Sequence, residues 1–107
     1  MEAGWRGADK QVVKDLFGRP LRVALASWII SRAGDPFYVQ QAQQAMLAVG
    51  EASSGVTKEL RVFEAHGLLL AVQDGRRIYF TPIASPFWPA FEGIADACGF
   101  ATAWGHG

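Results

Sequence analysis

The stretch "VTKELRVFEAHGLLLAVQDGRRIYF", residues 56–80, changes its hydrophobic pattern twice. In its first part apolar residues recur at spacings of four and three, which predicts an amphipathic helix from about residue 53 to 66. The apolar face of this helix carries Val56, Leu60 and Phe63. The opposite face carries Thr57, Lys58 and Arg61, and we expect it to remain in solvent or to bind a partner.

The second part of the stretch predicts a β-hairpin. Gly67 is suited to the left-handed position that ends a helix. The runs "LLLAV" and "RRIYF" then surround the dipeptide Asp74-Gly75. An Asp-Gly pair between two β-rich runs is a strong short-range signal for a two-residue hairpin turn. We therefore expect a wing over about residues 68–82.

Helical patterns precede and follow this stretch. "DKQVVKDLF" predicts a short helix over residues 9–17, and a second helix with Pro20 in its first turn follows. A third helix in "VQQAQQAMLAV" stops at Gly50, and a last helix carries "PFWPAFEGIADAC". Two short helices joined by the turn "EASSG" and followed by a hairpin predict a winged helix-turn-helix, a mainly α fold with a small β-hairpin (α+β).

The motif residues also support a family resemblance. "GEASSGVTKELRVFEAHGLL" resembles the helix-turn-helix of ArsR-type bacterial repressors. The matching positions are Gly50, Ser54, Val56, Thr57, Lys58, Leu60, Arg61, Phe63, Gly67 and Leu68. "DGRRIYF" resembles their wing and "LFGRPLRVALASWI" their first core helix, so the likeness covers about residues 16–81. MarR-type repressors are similar enough to be hard to separate from this pattern. The resemblance implies a DNA-binding transcriptional repressor.

The chain departs from the family pattern in the turn before the fourth helix. Glu51 occupies a position that the family usually fills with leucine, and Ala52 replaces the usual capping serine. We therefore expect Ser53 or Ser54 to cap the helix instead. Gly55 lowers the helix propensity there by up to about 1 kcal/mol.

The candidate DNA-binding residues lie on the helix face and on the wing. Short polar side chains followed by positive charge suit a helix that enters the major groove, where hydroxyl groups and guanidinium groups meet phosphates and base edges. Two arginines after the hairpin turn suit the backbone or the minor groove. The candidates are Ser53, Ser54, Thr57, Lys58, Arg61, Arg76 and Arg77. The alternatives are a solvated amphipathic helix and an ordinary charged hairpin that discourages edge pairing.

Charge limits this hypothesis. The 107 residues carry ten basic and ten acidic side chains, so the formal net charge is zero. Between residues 53 and 77 there are four basic residues (58, 61, 76, 77) and three acidic ones (59, 64, 74). Glu59 and Glu64 need not share the face of Thr57 and Arg61. We expect modest non-specific affinity and a shallow salt dependence.

Other functional classes find little support in the sequence. The single cysteine, Cys98, excludes an internal disulfide, and the resemblance brings no metal site because only His66 and His106 accompany that thiol. His66 is expected to stabilise a helix end, and Cys98 to pack in an apolar face. No catalytic triad, carboxylate pair or phosphate-binding loop stands out, so neither an enzyme nor a cofactor is predicted. Without a signal peptide or a membrane span, we expect a cytoplasmic protein.

Assembly is predicted from the aromatic residues near the ends. We expect one domain over residues 1–107, with loose termini at about 1–8 and 100–107. One recognition helix reads few base pairs, so a homodimer through the first and last helices is predicted, as the resemblance also implies. Alternatively, the aromatic side chains cover the domain's own core. Two further hypotheses are a winged-helix protein–protein interaction module and a sensor with a small-molecule effector.

Overall fold

A computed structural model of the chain describes residues 19–97. In order, this part contains α1 (Pro20–Ser31), β1 (Phe37–Tyr38), α2 (Val39–Ala48), a 3-10 turn (Ser53–Gly55), α3 (Val56–Ala65), β2 (Leu69–Asp74), β3 (Arg77–Pro82) and α4 (Phe87–Ala97). The predicted helix over residues 9–17 and the predicted loose termini lie outside the described residues. So do Cys98 and His106. The mainly α fold with a small β-sheet is confirmed.

Helix α1 is the central element of the core. Pro20 occupies its first turn as predicted, and the seven consecutive residues from Val23 to Ile29 are all buried. Helix α1 is covered on several sides because it contacts α2, α3 and α4. Small residues such as Ala24 and Ala26 let those neighbours approach closely.

Helices α2 and α3 form the helix-turn-helix. The predicted inner face of α3 is confirmed, because Val56, Leu60 and Phe63 are all buried, and Met46 on α2 is buried as well. The chain leaves α2 through Gly50, whose φ of +81° lies in the left-handed region. Such a value favours glycine because it has no Cβ.

The expected serine cap of α3 is wrong. The 3-10 turn begins after Ala52, which is its N-cap, and Gly55 is the N-cap of α3; neither position has a side-chain cap bond. Because the 3-10 turn continues directly into α3, Ser53 and Ser54 already lie inside a helical turn. A glycine at position 55 is also favoured sterically, because a Cβ there would lie only 3.0 Å from Leu21 Cδ2.

A three-stranded antiparallel sheet follows, with the strand order β1-β3-β2. Strand β1 was not predicted, because two residues after a proline give too little pattern. Its Phe37 pairs with Phe80 of β3, and their rings stack with centroids 5.9 Å apart. Trp28 of α1 meets Phe37 edge-on at 5.0 Å, which joins the sheet to the central helix.

The hairpin turn lies one residue later than predicted. Asp74 and Arg77 are paired strand residues, so the two central turn residues are Gly75 and Arg76. Gly75 has a φ of +63°, and Gly34, Gly50, Gly67 and Ala33 are the other described residues with positive φ. A positive φ at only the first central position fits a type II′ turn. Arg76 therefore lies at the tip of the wing.

Helix α4 packs on the core through its half-buried side chains Trp88, Phe91 and Ile94. Phe87 is 60% exposed, whereas Trp88 and Phe91 are half-buried against Phe63 of α3, with ring centroids 5.9 and 5.7 Å away. Trp88 Nε1 also donates a hydrogen bond to the Ile83 carbonyl at 2.8 Å, which fixes the start of the helix.

Candidate nucleic-acid interface

The outer face of α3 is exposed at the predicted positions. Thr57, Lys58 and Arg61 are all exposed, as is Ser54, while Ser53 is half-buried. The fixed inner face of the helix determines this arrangement, because Leu60 and Phe63 anchor it to the core. The helix therefore presents hydroxyl, ammonium and guanidinium groups within two turns, the pattern that suits phosphates and base edges.

Arg61 contacts two other residues. Its Nη1 donates to Glu64 Oε1 at 2.7 Å, and its guanidinium carbon lies 5.6 Å from the centroid of the Phe80 ring. The sequence did not assign Glu64 to the face of Arg61, but side chains three residues apart are neighbours on a helix, and the structure pairs the two. Arg61 is thereby linked to strand β3 of the wing.

The two wing arginines occupy different places. Arg76 is exposed in the turn. Arg77 is also exposed, but its guanidinium carbon lies 4.5 Å from the centroid of the Tyr38 ring. Because successive residues of β3 face opposite sides of the sheet, Arg77 and Phe80 lie on opposite faces. Arg77 is thus directed away from Arg61, toward the residue that precedes α2.

A small cavity separates the wing from the first turn of α2. It has a volume of about 190 Å³ and is lined by Tyr38, Val39, Gln40, Arg77 and Ile78. Gln41 has a structural role, since its Oε1 accepts a hydrogen bond from the Tyr38 backbone N–H at 2.8 Å.

The most consequential residue that sequence analysis missed is Glu59. It is 0% exposed, and its carboxylate accepts hydrogen bonds from Arg22 Nε at 2.7 Å and from Arg19 Nη1 at 3.0 Å. The signal was present in the spacing, because Glu59 lies three residues after Val56 and four before Phe63, on the inner side. Its residue type, a glutamate, favoured a position exposed to solvent.

This burial changes the charge of the candidate interface. With Glu59 held inside by two arginines of the α1 region, the exposed or half-buried charges left between residues 53 and 77 are four basic and two acidic. They are Lys58, Arg61, Arg76, Arg77, Glu64 and Asp74. The local balance of +2 is more favourable to a polyanion than the +1 counted from the sequence.

A second cavity lies beside the C-terminal half of α3. Its volume is about 300 Å³, and its lining is mostly apolar and aromatic with one arginine and one histidine; it is formed by Arg22, Val62, Phe63, His66, Leu68, Phe87 and Phe91. This volume is at the lower limit of typical small-molecule sites. His66 is the C-cap residue of α3 and is exposed, in keeping with the expected place at a helix end.

Within residues 19–97 no three His, Cys, Asp or Glu side chains come together in a group that could hold a metal ion. None of the helices in the same range has the length and apolarity needed to cross a membrane.

The helix-turn-helix, the three-stranded sheet and the hairpin together define a winged helix-turn-helix protein. Among solved structures, the chain is similar to a mutant of MepR from S. aureus bound to an oligodeoxyribonucleotide, with a TM-score of 0.60 and 16% sequence identity, over 92% of this chain and 73% of that one. It is also similar to the transcriptional regulator Tm0710 from Thermotoga maritima, with a TM-score of 0.53 and 18% identity, over 84% of this chain and 60% of that one.

These similarities establish the fold of the chain. Both proteins are winged-helix regulators of the MarR family, the second of the two types that the sequence resembles. The chain spans less than two thirds of the length of Tm0710. No protein-family model matches the sequence, and no curated protein matches it.

Proposed function

We propose that this chain is a sequence-specific DNA-binding transcriptional regulator that acts as a repressor. The observation that carries the proposal is the exposed face of Thr57, Lys58 and Arg61 on a helix whose opposite face is fixed in the core. The recognition helix, residues 53–66, enters the major groove, and the wing, residues 68–82, contacts the backbone or the minor groove. The similarity to MepR, which was solved with an oligodeoxyribonucleotide, supports this role.

The proposed contacts differ between the two elements. Thr57, Lys58 and Arg61 read base edges and phosphates, and Ser53 or Ser54 meets a phosphate at the start of the helix. Wing arginines are expected to act mainly on the backbone, because Arg76 is at the tip and Arg77 is held beside Tyr38. Binding rather than catalysis is the proposed activity.

We further propose that the chain acts as a homodimer through the first predicted helix, residues 9–17, and the last helix, α4. Phe87 at the start of α4 is 60% exposed, and Ile83, four residues before it in the chain, is 38% exposed. Burial of these two apolar side chains against a second copy would remove them from water. The sequence motif suggests the ArsR type of regulator for this chain, whereas the structural similarity to MepR favours the MarR type.

The test begins with selection of bound fragments from random DNA, followed by binding titrations with the selected duplex. Arg61→Ala should relax the base preference at one position by about 1–3 kcal/mol. Arg76→Ala should weaken binding to all duplexes and reduce the log–log salt slope by about 0.9. Arg32→Gln, which removes an equal charge from the end of α1 outside the proposed interface, serves as the control.

The alternative is a winged-helix protein–protein interaction module without DNA binding. The zero net charge of the chain and the exposed Phe87 are compatible with it. A titration with mixed genomic DNA at low salt separates the two hypotheses. Absence of binding there, or unchanged binding in both the Arg61 and Arg76 variants, would refute the proposed function.

A further inference from the structure

Arg61 is restrained on two sides. Glu64 Oε1 accepts a bond from its Nη1 at 2.7 Å, and the Phe80 ring lies 5.6 Å from its guanidinium carbon. Phe80 is itself 1% exposed and stacked on Phe37, so the ring is a fixed support. A guanidinium is planar. The Glu64 carboxylate bound to one of its nitrogens and the Phe80 ring beside it together limit the orientations that this plane can take.

The restraint leaves Arg61 able to bind a second acceptor. A guanidinium has five N–H donors, and the contact with Glu64 uses one of them. A guanine edge accepts two, through O6 and N7. The side chain of Arg61 is 49% exposed, so an approaching base edge can reach it.

The ion pair between Arg61 and Glu64 contributes little to the stability of α3. Exposed pairs of this kind contribute weakly, and the order with the basic residue first is the less favourable one on a helix. The consequence of the contact therefore lies in the direction of the guanidinium rather than in the folding of α3.

We propose that Glu64 is a positioning residue that sets the sequence discrimination of Arg61, an inference that rests on the proposed DNA-binding function. Glu64 holds the guanidinium over Phe80 so that its planar edge meets one base pair in a single orientation. The same carboxylate repels phosphates, so it lowers the affinity for every duplex while it raises the ratio between right and wrong sequences.

The test compares two duplexes: the one selected by the wild-type protein, and one altered at the base pair whose preference is relaxed in Arg61→Ala. The wild type should discriminate between them by about 5- to 150-fold, the equivalent of 1–3 kcal/mol. Glu64→Gln should bind both duplexes more tightly at low salt, with discrimination reduced by up to about fivefold. Arg61→Lys should lose most discrimination although its charge remains, because an ammonium has no planar fork.

Controls separate positioning from charge and from folding. Asp35→Asn removes the same charge from an exposed residue after α1, and its discrimination should equal that of the wild type. In the Arg61→Lys background, Glu64→Gln should not reduce discrimination further. The melting temperature of Glu64→Gln should stay close to that of the wild type.

Two different results would overturn the inference. If Glu64→Gln discriminates as well as the wild type, or loses as much in the Arg61→Lys background, Glu64 does not act through Arg61 and DNA recognition by the chain still stands. If the wild type binds selected and scrambled duplexes equally, or binds neither, sequence-specific recognition fails and the role of Glu64 fails with it.

Discussion

Replacing Arg22 should destabilise the protein more than replacing Glu59, the carboxylate that it binds. The side chain of Glu59 is 0% exposed, whereas those of Arg22 and Arg19 are 32% and 50% exposed. If the carboxylate is removed, the arginines can turn toward water. If Arg22 becomes Met, the buried carboxylate of Glu59 loses the shorter of its two hydrogen bonds while its side chain stays on the inner face of α3.

The contacts allow the size of the effect to be estimated. A hydrogen bond to a charged group is worth about 1.5–3 kcal/mol, and removing one partner of a fully buried pair costs about 3–5 kcal/mol. Arg19 retains its contact with Glu59 at 3.0 Å, so we expect Arg22→Met to cost about 2–3 kcal/mol. Glu59→Met should cost about 1 kcal/mol or less, because an apolar side chain of similar volume suits the site.

The double variant provides the decisive measurement. Arg22→Met with Glu59→Met should be close to Glu59→Met alone, since the charge that needed Arg22 is gone. Urea unfolding, followed by far-UV circular dichroism at one fixed protein concentration, should show a midpoint about 1–2 M lower for Arg22→Met. A Glu59→Met midpoint below that of Arg22→Met, or a double variant equal to the sum of the singles, would refute the reasoning.

Two further predictions concern the backbone and the wing. Gly67→Ala should lower the unfolding free energy by about 1 kcal/mol, because φ is +80° there. Gly93→Ala inside α4 should instead raise the unfolding free energy by about 0.5–1 kcal/mol. Equal effects of the two substitutions in urea unfolding would contradict this. Tyr38→Leu should cost about 1–2 kcal/mol through lost ring contacts with Arg77 and Tyr79, and Tyr38→Phe, the matched control, should cost clearly less.

Hydrophobic spacing predicted most of the fold because it reports directly on burial. The inward positions of α3 at Val56, Leu60 and Phe63 follow from a period of 3.6, and the hairpin follows from two β-rich runs around a glycine. The same spacing could not supply β1, whose two residues pair with β3 only because the chain returns more than forty residues later. The shifted turn has a similar cause, since the pairing of Asp74 with Arg77 decides which residues remain in the loop.

The two carboxylates of α3 explain why the site was harder to predict than the fold. Glu59 and Glu64 are the same residue type on one helix, and the sequence assigned neither of them to the face of Arg61. Glu59 can be buried because Arg22 of α1 and Arg19, the residue before that helix, both bind its carboxylate. Glu64 binds Arg61 because it lies three residues later on the same helix. Spacing assigns a side chain to a face, but its partner depends on neighbouring elements and on side-chain length. The charge that α3 presents to a partner is therefore set partly by α1, a helix that lies outside the proposed interface.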